Sequence, residues 1–262
     1  MDNNLEKFLA KINKGEICLG AGVSFRDPMI SELFSEIGFD FLWICAEHTA
    51  SDKETILSHI MATKGTSTAP FVRVPGNESF ITKPILDMNP AGIIFPFIST
   101  SEDAIKAVKS CRYPPEGNRG YGPTRPSNYY IMNNEKYFEK SKINPWVILQ
   151  IEHIDAINNL DKILEVPGIG SIVIGPNDLA NSIGLLGSSR SKEVYNLIAT
   201  VLKKAHKKKI AAGVSIGYEL AELENYKKLV DLGANWFDIS FDMVAIKNYS
   251  LDIMNKIKKL LK

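Results

Sequence analysis

A single (β/α)8 barrel is the fold class that this sequence predicts. Three observations predict it: short apolar runs alternate with amphipathic stretches along all 262 residues, the runs are nearly continuously apolar, and there are eight of them. Continuous apolarity marks parallel strands that are covered on both faces, because neither face meets water. Eight strand–helix pairs in about 250 residues is the count and length of this barrel.

The runs follow in order. "ICLGAGV" from Ile17, "FLWICAE" from Phe41, "APFVRV" from Ala69 and "GIIFPFI" from Gly92 form the first half. "WVILQIE" from Trp146, "SIVIGP" from Ser171, "AAGVSI" from Ala211 and "WFDIS" from Trp236 form the second. Helical patterns lie between them. "STSEDAIKAVKS" offers Thr100 as N-cap with Asp103 three residues on. The closing "LDIMNKIKKLL" places Leu251, Met254, Ile257 and Leu261 on one stripe. A doubly wound open sheet is the rival, and it normally carries a phosphate loop after its first strand. "LGAGVSFRD" has Gly20 and Gly22 but Phe25 where a third glycine belongs, so the dinucleotide reading is rejected. No repeat or linker divides the chain, and residues 1–262 read as one barrel domain. Cys111 to Pro145, with five prolines and little periodicity, is a long loop between strands four and five. Such a loop is usually functional, and a lid or subunit contact with Arg119 assisting the site is expected.

Bulk properties exclude several partners. An apolar fraction of 45% and a charged fraction of 23% suit a globular protein. A net charge of +1 gives no electrostatic reason to expect nucleic acid or an anionic membrane. The basic run "KKAHKKK" falls at a helix end, where cations suit the dipole. Three cysteines without metal-ligand spacing imply a reducing compartment. The charged N-terminus and the lack of a long apolar stretch complete the expectation of a soluble, cytoplasmic protein.

Chemistry in a barrel of this kind sits at the carboxyl ends of the strands. Glu47 and His48 close the second strand, Arg73 the third, Gln150 and Glu152 the fifth, and Asp178 follows the sixth in "IGPNDLA". Each alone has a bland reading: a strand-end histidine is more often structural, and Glu152 could pair with a lysine. His59, His153 and His206 read as structural or solvated. Convergence of several strand ends on one rim is what shifts the balance. Two carboxylates without histidine or cysteine beside them favour a hard divalent cation such as Mg2+ or Mn2+ over zinc. An arginine can stabilise a developing enolate oxygen, and a histidine, titrating near neutrality, is a natural base. The set suits proton abstraction beside a carbonyl, or carbon–carbon cleavage that leaves an enolate.

"AEHTA", "PFVRV", "QIEHIDAINNLDKIL", "GIGSIVIGPNDLANSIG" and "CRYPPEGNRGYGPTR" together resemble the metal-dependent pyruvate aldolases of the HpcH/HpaI family, over about residues 17–245. The resemblance implies that Glu152 and Asp178 hold Mg2+, Mn2+ or Co2+, chelated in turn by the carboxylate and keto oxygens of pyruvate. It implies that Gln150 and the backbone of Asn177 and Asp178 help hold that ligand, that Arg73 stabilises the enolate and that His48 is the base. It pairs the histidine with Asp87 of "KPILDMNPAG". Asp87 precedes the fourth strand, so a neighbouring subunit must supply it, and a homohexamer built from dimers is expected. The sequence departs from the family where Cys45 replaces the usual aspartate three residues before the histidine, and where Asn89 and Pro90 replace a common glycine. Cys45, small and strand-borne, reads as inert core, yet it is where altered rate or specificity is expected.

Three functions compete. The first is an aldolase that splits a 4-hydroxy-2-oxo acid into pyruvate and an aldehyde. The second is a related acyl-CoA or phosphoenolpyruvate-type lyase, disfavoured because no phosphate loop is present. The third is a non-catalytic keto-acid-binding relative, against which His48, Arg73, Glu152 and Asp178 stand. The aldehyde is expected to be read by loops after strands six to eight, such as "LLGSSRSKE" and "GVSIGYE".

Overall fold

In the computed structural model, which describes residues 1–216 and 223–261, eight parallel strands pair in sequence order and the last returns to the first, closing a barrel. The strands are β1 (Cys18–Val23), β2 (Phe41–Cys45), β3 (Ala69–Arg73), β4 (Gly92–Phe95), β5 (Trp146–Ile151), β6 (Ser171–Ile174), β7 (Ala211–Ser215) and β8 (Trp236–Phe241). Helix α1 (Leu5–Asn13) precedes the barrel, and α2 (Met29–Ile37), α3 (Lys53–Ala62), α4 (Ser79–Leu86) and α5 (Ser101–Cys111) follow the first four strands. The second half carries α6 (Asn134–Ser141), α7 (Ile154–Asn158), α8 (Leu160–Ile163), α9 (Pro176–Ser182), α10 (Lys192–Lys207), α11 (Leu223–Asp231) and α12 (Asp242–Leu260). The strand runs read from sequence all form strands, and Thr100 and Asp103 make both hydrogen bonds of a capping box on α5.

Alternation along each strand sorts side chains into two cores. Leu42, Ile44, Val72 and Ile93 face outward to the helices, while Phe41, Trp43, Phe71, Trp146 and Trp236 face inward. Each fully buried aromatic contributes about 2–3 kcal/mol. The interior is closed from below by Phe8 of α1, whose ring meets Phe41, Phe71 and Trp146 at centroid distances of 5.8, 5.0 and 5.3 Å. Gly20 and Gly22 serve this packing. A Cβ at either would sit 2.3 Å from the Phe41 ring or 2.5 Å from the Phe241 ring. The GxG of the first strand is therefore a space requirement between strands, which accounts for the missing phosphate loop.

The segment between β4 and β5 is not all loop: Asn133 caps α6 within it. Nor does it cover the carboxyl ends of its own barrel. Arg119 donates to the Leu86 carbonyl, Arg125 to the Met88 carbonyl, and the N-terminal ammonium to the Pro126 carbonyl. These contacts fix it under the amino ends of the strands, so it is no lid over this chain's own site, and of the two expected roles the subunit contact is the one this position allows. Asn89 takes φ of 64°, the left-handed conformation a glycine adopts at no cost, so asparagine at this family departure preserves the turn. The stripe on α12 finds no cover: Leu251, Met254, Ile257 and Leu261 are all exposed. Among the described residues, no helix is long and apolar enough to cross a membrane.

Candidate active site

Glu152, immediately after β5, is 1% exposed, and both its oxygens are engaged. Oε1 accepts from the Phe97 N–H at 2.8 Å, and Oε2 accepts from Gln150 Nε2. A Cβ on Gly175 would lie 2.6 Å from Oε2, so the glycine of "IGPND" makes room for the carboxylate. Phe97 pays for its part with a φ of 51°, a strained value for an aromatic residue. Burial pushes the Glu152 carboxyl up to about 7, and the charges of Asp178 and Glu47 push it the same way, against the Phe97 N–H and Arg73.

Arg73 ends β3 buried, with its guanidinium carbon 5.3 Å from the Trp43 ring centroid. Its Nε lies 3.1 Å from Glu47 Oε2, and His48 Nε2 lies 3.4 Å from the same oxygen. Neither contact is aligned as a hydrogen bond, so these are ion-pair distances around a loosely held carboxylate. Burial raises the Glu47 carboxyl above the usual range, while Arg73 and His48 oppose that shift. Cys45 is buried but is not inert packing. Its Sγ accepts from Arg73 Nη2 at 3.0 Å and from the His48 N–H at 3.3 Å, tying His48 and Arg73 to one atom. The His48 ring is open, with 61% of the side chain exposed.

Asp178 sits half-exposed in the first turn of α9, where the helix dipole favours an anion. Asn177 beside it is exposed. Gln150 keeps its Oε1 buried without a partner. Among the described residues, no three His, Cys, Asp or Glu side chains gather as a ready metal cage. The donor set nevertheless fits a hard divalent cation. Three carboxylates, Glu47, Glu152 and Asp178, interact around one buried arginine, and that negative excess is what a divalent ion held by Glu152 and Asp178 would offset.

Asp87 is not brought to this rim. It caps the C-terminus of α4 at the amino end of the barrel, 3.6 Å from Arg119 Nη2, and burial raises its carboxyl against the opposing charge of Arg119. Arg119, expected to assist the site, stacks over Tyr113 at 4.9 Å and travels with Asp87, far from this chain's own Glu152. Two groups escaped sequence reading. The Phe97 backbone carried no signal, but Asp238 did: an acid at an inward position of the apolar "WFDIS" strand is anomalous, and it is 1% exposed. Of the two loops expected to read the aldehyde, "LLGSSRSKE" lies within the described residues, while residues 217–219 of "GVSIGYE" lie outside them.

Residues 23–248 match the family described as HpcH/HpaI aldolase/citrate lyase. The chain belongs to that family. The 5-keto-4-deoxy-D-glucarate aldolase of Citrobacter koseri is 32% identical to it over 99% of this chain and 100% of its own. The protein of the same name from Salmonella paratyphi C is 33% identical over 97% of each. Among solved structures, an HpcH/HpaI aldolase from Desulfitobacterium hafniense superposes with a TM-score of 0.89 at 25% identity, covering 95% of this chain and 96% of that one. The citrate synthase SbnG gives 0.85 at 26% identity, covering 97% and 98%. Within the HpcH/HpaI family, then, this member presents arginine, histidine and three carboxylates at the carboxyl ends of strands two, three, five and six.

Proposed function

We propose that this protein is a class II pyruvate aldolase, a carbon–carbon lyase that reversibly splits a 4-hydroxy-2-oxo acid into pyruvate and an aldehyde. The observation that carries the reading is the buried Glu152 held between Gln150 and Phe97, with Arg73 the nearby cation. Full-length likeness to 5-keto-4-deoxy-D-glucarate aldolases supports the same reading.

In the cleavage direction His48 takes the proton of the C4 hydroxyl. The C3–C4 bond breaks, its electron pair moves toward the C2 carbonyl, and the aldehyde leaves with the new C4 carbonyl. Arg73 stabilises the negative charge on the C2 oxygen, where an oriented cation in a site shielded from water is most effective. Proton return to C3 gives pyruvate. A divalent cation (Mg2+, Mn2+ or Co2+) held by Glu152 and Asp178 would supply positive charge beside the 2-oxo and carboxylate oxygens. Gln150, through its unpartnered Oε1 and its hold on Glu152, and Asn177 would help orient the ligand.

His48 is exposed, and its expected partner Asp87 lies at the other end of the barrel, so the site is completed by Asp87 of a neighbouring copy. The uncovered apolar stripe of α12 supports assembly, and a homohexamer of dimers is our reading. Three free cysteines, all buried, support a cytoplasmic location. A cleavage assay that couples pyruvate release to lactate dehydrogenase, with 5-keto-4-deoxy-D-glucarate and shorter 4-hydroxy-2-oxo acids as substrates, tests the activity. Pyruvate release lost in Arg73→Ala supports it; no release from any of them by the wild type refutes it.

A further inference from the structure

The geometry points to Arg119 as the positioning residue of Asp87, holding that carboxylate ready for the histidine of a neighbouring copy. Each active site would then draw on an Asp87–Arg119 pair of its neighbour rather than on Asp87 alone. The inference rests on the reading that Asp87 is supplied across a subunit boundary. The Arg119 side chain is 3% exposed and that of Asp87 27%, with Nη2 3.6 Å from Oδ1. A guanidinium so deeply buried needs an anion. Its other neighbours are neutral or cationic. Nη2 donates to the Leu86 carbonyl, and the guanidinium lies over the Tyr113 ring, whose hydroxyl pairs with that of Tyr137 at 2.7 Å. Arg112 acts on Arg119 as a second positive charge.

A purely structural arginine–carboxylate pair closes into two parallel hydrogen bonds of about 2.8 Å. This pair stays open. At 3.6 Å the contact is one of charge, and Arg119 Nε is buried without a hydrogen-bond partner. Asp87 is thus held from beneath by a cation while its carboxylate keeps acceptor capacity for another donor. The loop that carries Arg119 is shaped around it. A Cβ on Gly122 would come 3.1 Å from Asp87 Oδ2, and one on Gly120 would come 2.7 Å from Lys83 Cε, so the glycines of "RGYG" let the loop meet the end of α4 without covering the acid. Burial favours the protonated form of Asp87, and Arg119 is the first group opposing it. A neutral acid would not stabilise the imidazolium formed when His48 takes its proton, whereas an ionised one does.

The test is a double-mutant cycle read by pyruvate release: wild type, Arg119→Gln, Asp87→Asn and the two combined. Arg119→Gln keeps a donor for the Leu86 carbonyl and removes the charge. The expected result is a kcat about tenfold or more lower in Arg119→Gln with KM for the keto acid unchanged, on the scale of a lost contact to a charged group. In the Asp87→Asn background the same substitution should cost nothing further, because a residue that acts through another has no effect once that other is gone. Arg119→Lys, which restores the charge, should regain part of the rate. If Arg119→Gln does not fold, Arg119→Lys carries the cycle, its smaller loss again vanishing beside Asp87→Asn. Mixed subunits give a second readout: Arg119→Gln should regain activity with His48→Ala but not with Asp87→Ala, since the pair acts from one chain. A loss that multiplies with that of Asp87→Asn, or recovery with Asp87→Ala, overturns the inference and leaves Arg119 structural. A loss in Asp87→Asn with none in Arg119→Gln overturns the inference alone. Full activity in Asp87→Asn removes the reading of Asp87 itself, and a wild type that releases no pyruvate removes the aldolase reading; the inference falls with either.

Discussion

Arg73 Nη2 lies 3.0 Å from Cys45 Sγ, and the sulfur also receives the His48 N–H. One side chain on β2 thus positions both the cation and the base of the proposed reaction. Sulfur is a weak acceptor, so Arg73 is held here less firmly than a carboxylate would hold it. Cys45→Ala is expected to lower kcat for pyruvate release about tenfold, on the scale of one lost hydrogen bond to a charged group. Cys45→Asp, which restores the family's usual residue, should recover most of it. Steady-state kinetics of the two variants check this, and an unaltered Cys45→Ala enzyme would return Cys45 to inert packing.

Phe97 trades backbone strain for a hydrogen bond to Glu152. Its ring is half exposed, so little burial is lost on truncation. Phe97→Gly is expected to be more stable than Phe97→Ala by about 1 kcal/mol, because only glycine occupies φ of 51° without penalty. Urea unfolding of the two variants measures the difference directly, and equal midpoints would contradict it.

Asp238 makes stability depend on pH. Its folded carboxyl sits at about 7 against an ordinary 3.8, so between those values the folded chain holds a proton that the unfolded chain releases. Stability from this group is full below about pH 4, falls as pH rises toward 7, and stays low above. Asp238→Asn removes the ionisation and keeps the shape. Its melting temperature should match the wild type near pH 4 and exceed it at pH 8, by an amount equivalent to at least about 1 kcal/mol, a shift of one pKa unit being worth about 1.4. Scans in EDTA at both pH values read this, and a constant difference would contradict the assignment.

Asp87 and His48 are predicted to meet only across a subunit boundary. His48→Ala and Asp87→Ala should each lose most activity alone. Mixed subunits should regain roughly a quarter of wild-type sites, because a heterodimeric pair rebuilds one intact site and leaves one doubly deficient. Refolding or co-expressing the two variants together tests this, and no recovery would place both residues in one chain's own chemistry.

The barrel was legible because strands buried on both faces leave continuous apolar runs, and the polar residues that interrupt them at Glu47, Arg73 and Glu152 stand out. Asp238 interrupted a run in the same way but sat inside the strand rather than at its end, where a reading of strand ends does not look. Sequence shows the length of the loop that carries Arg119 and not which end of the barrel it covers; hydrogen bonds to the Leu86 and Met88 carbonyls decide that and put Arg119 beside Asp87. Periodicity shows the apolar stripe on α12, but whether one chain or two bury it is a matter of tertiary space that periodicity does not carry. Phe97 acts through its backbone, to which side-chain chemistry is blind.

Enolate chemistry at Glu152, Asp178 and Arg73 is read out by exchange of the pyruvate methyl protons in D2O, followed by NMR. Exchange is expected with added Mg2+ or Mn2+, stopping with EDTA, lost in Glu152→Ala and falling sharply in His48→Ala. Exchange that persists in EDTA or in Glu152→Ala, or pyruvate that binds without exchanging at all, would contradict it.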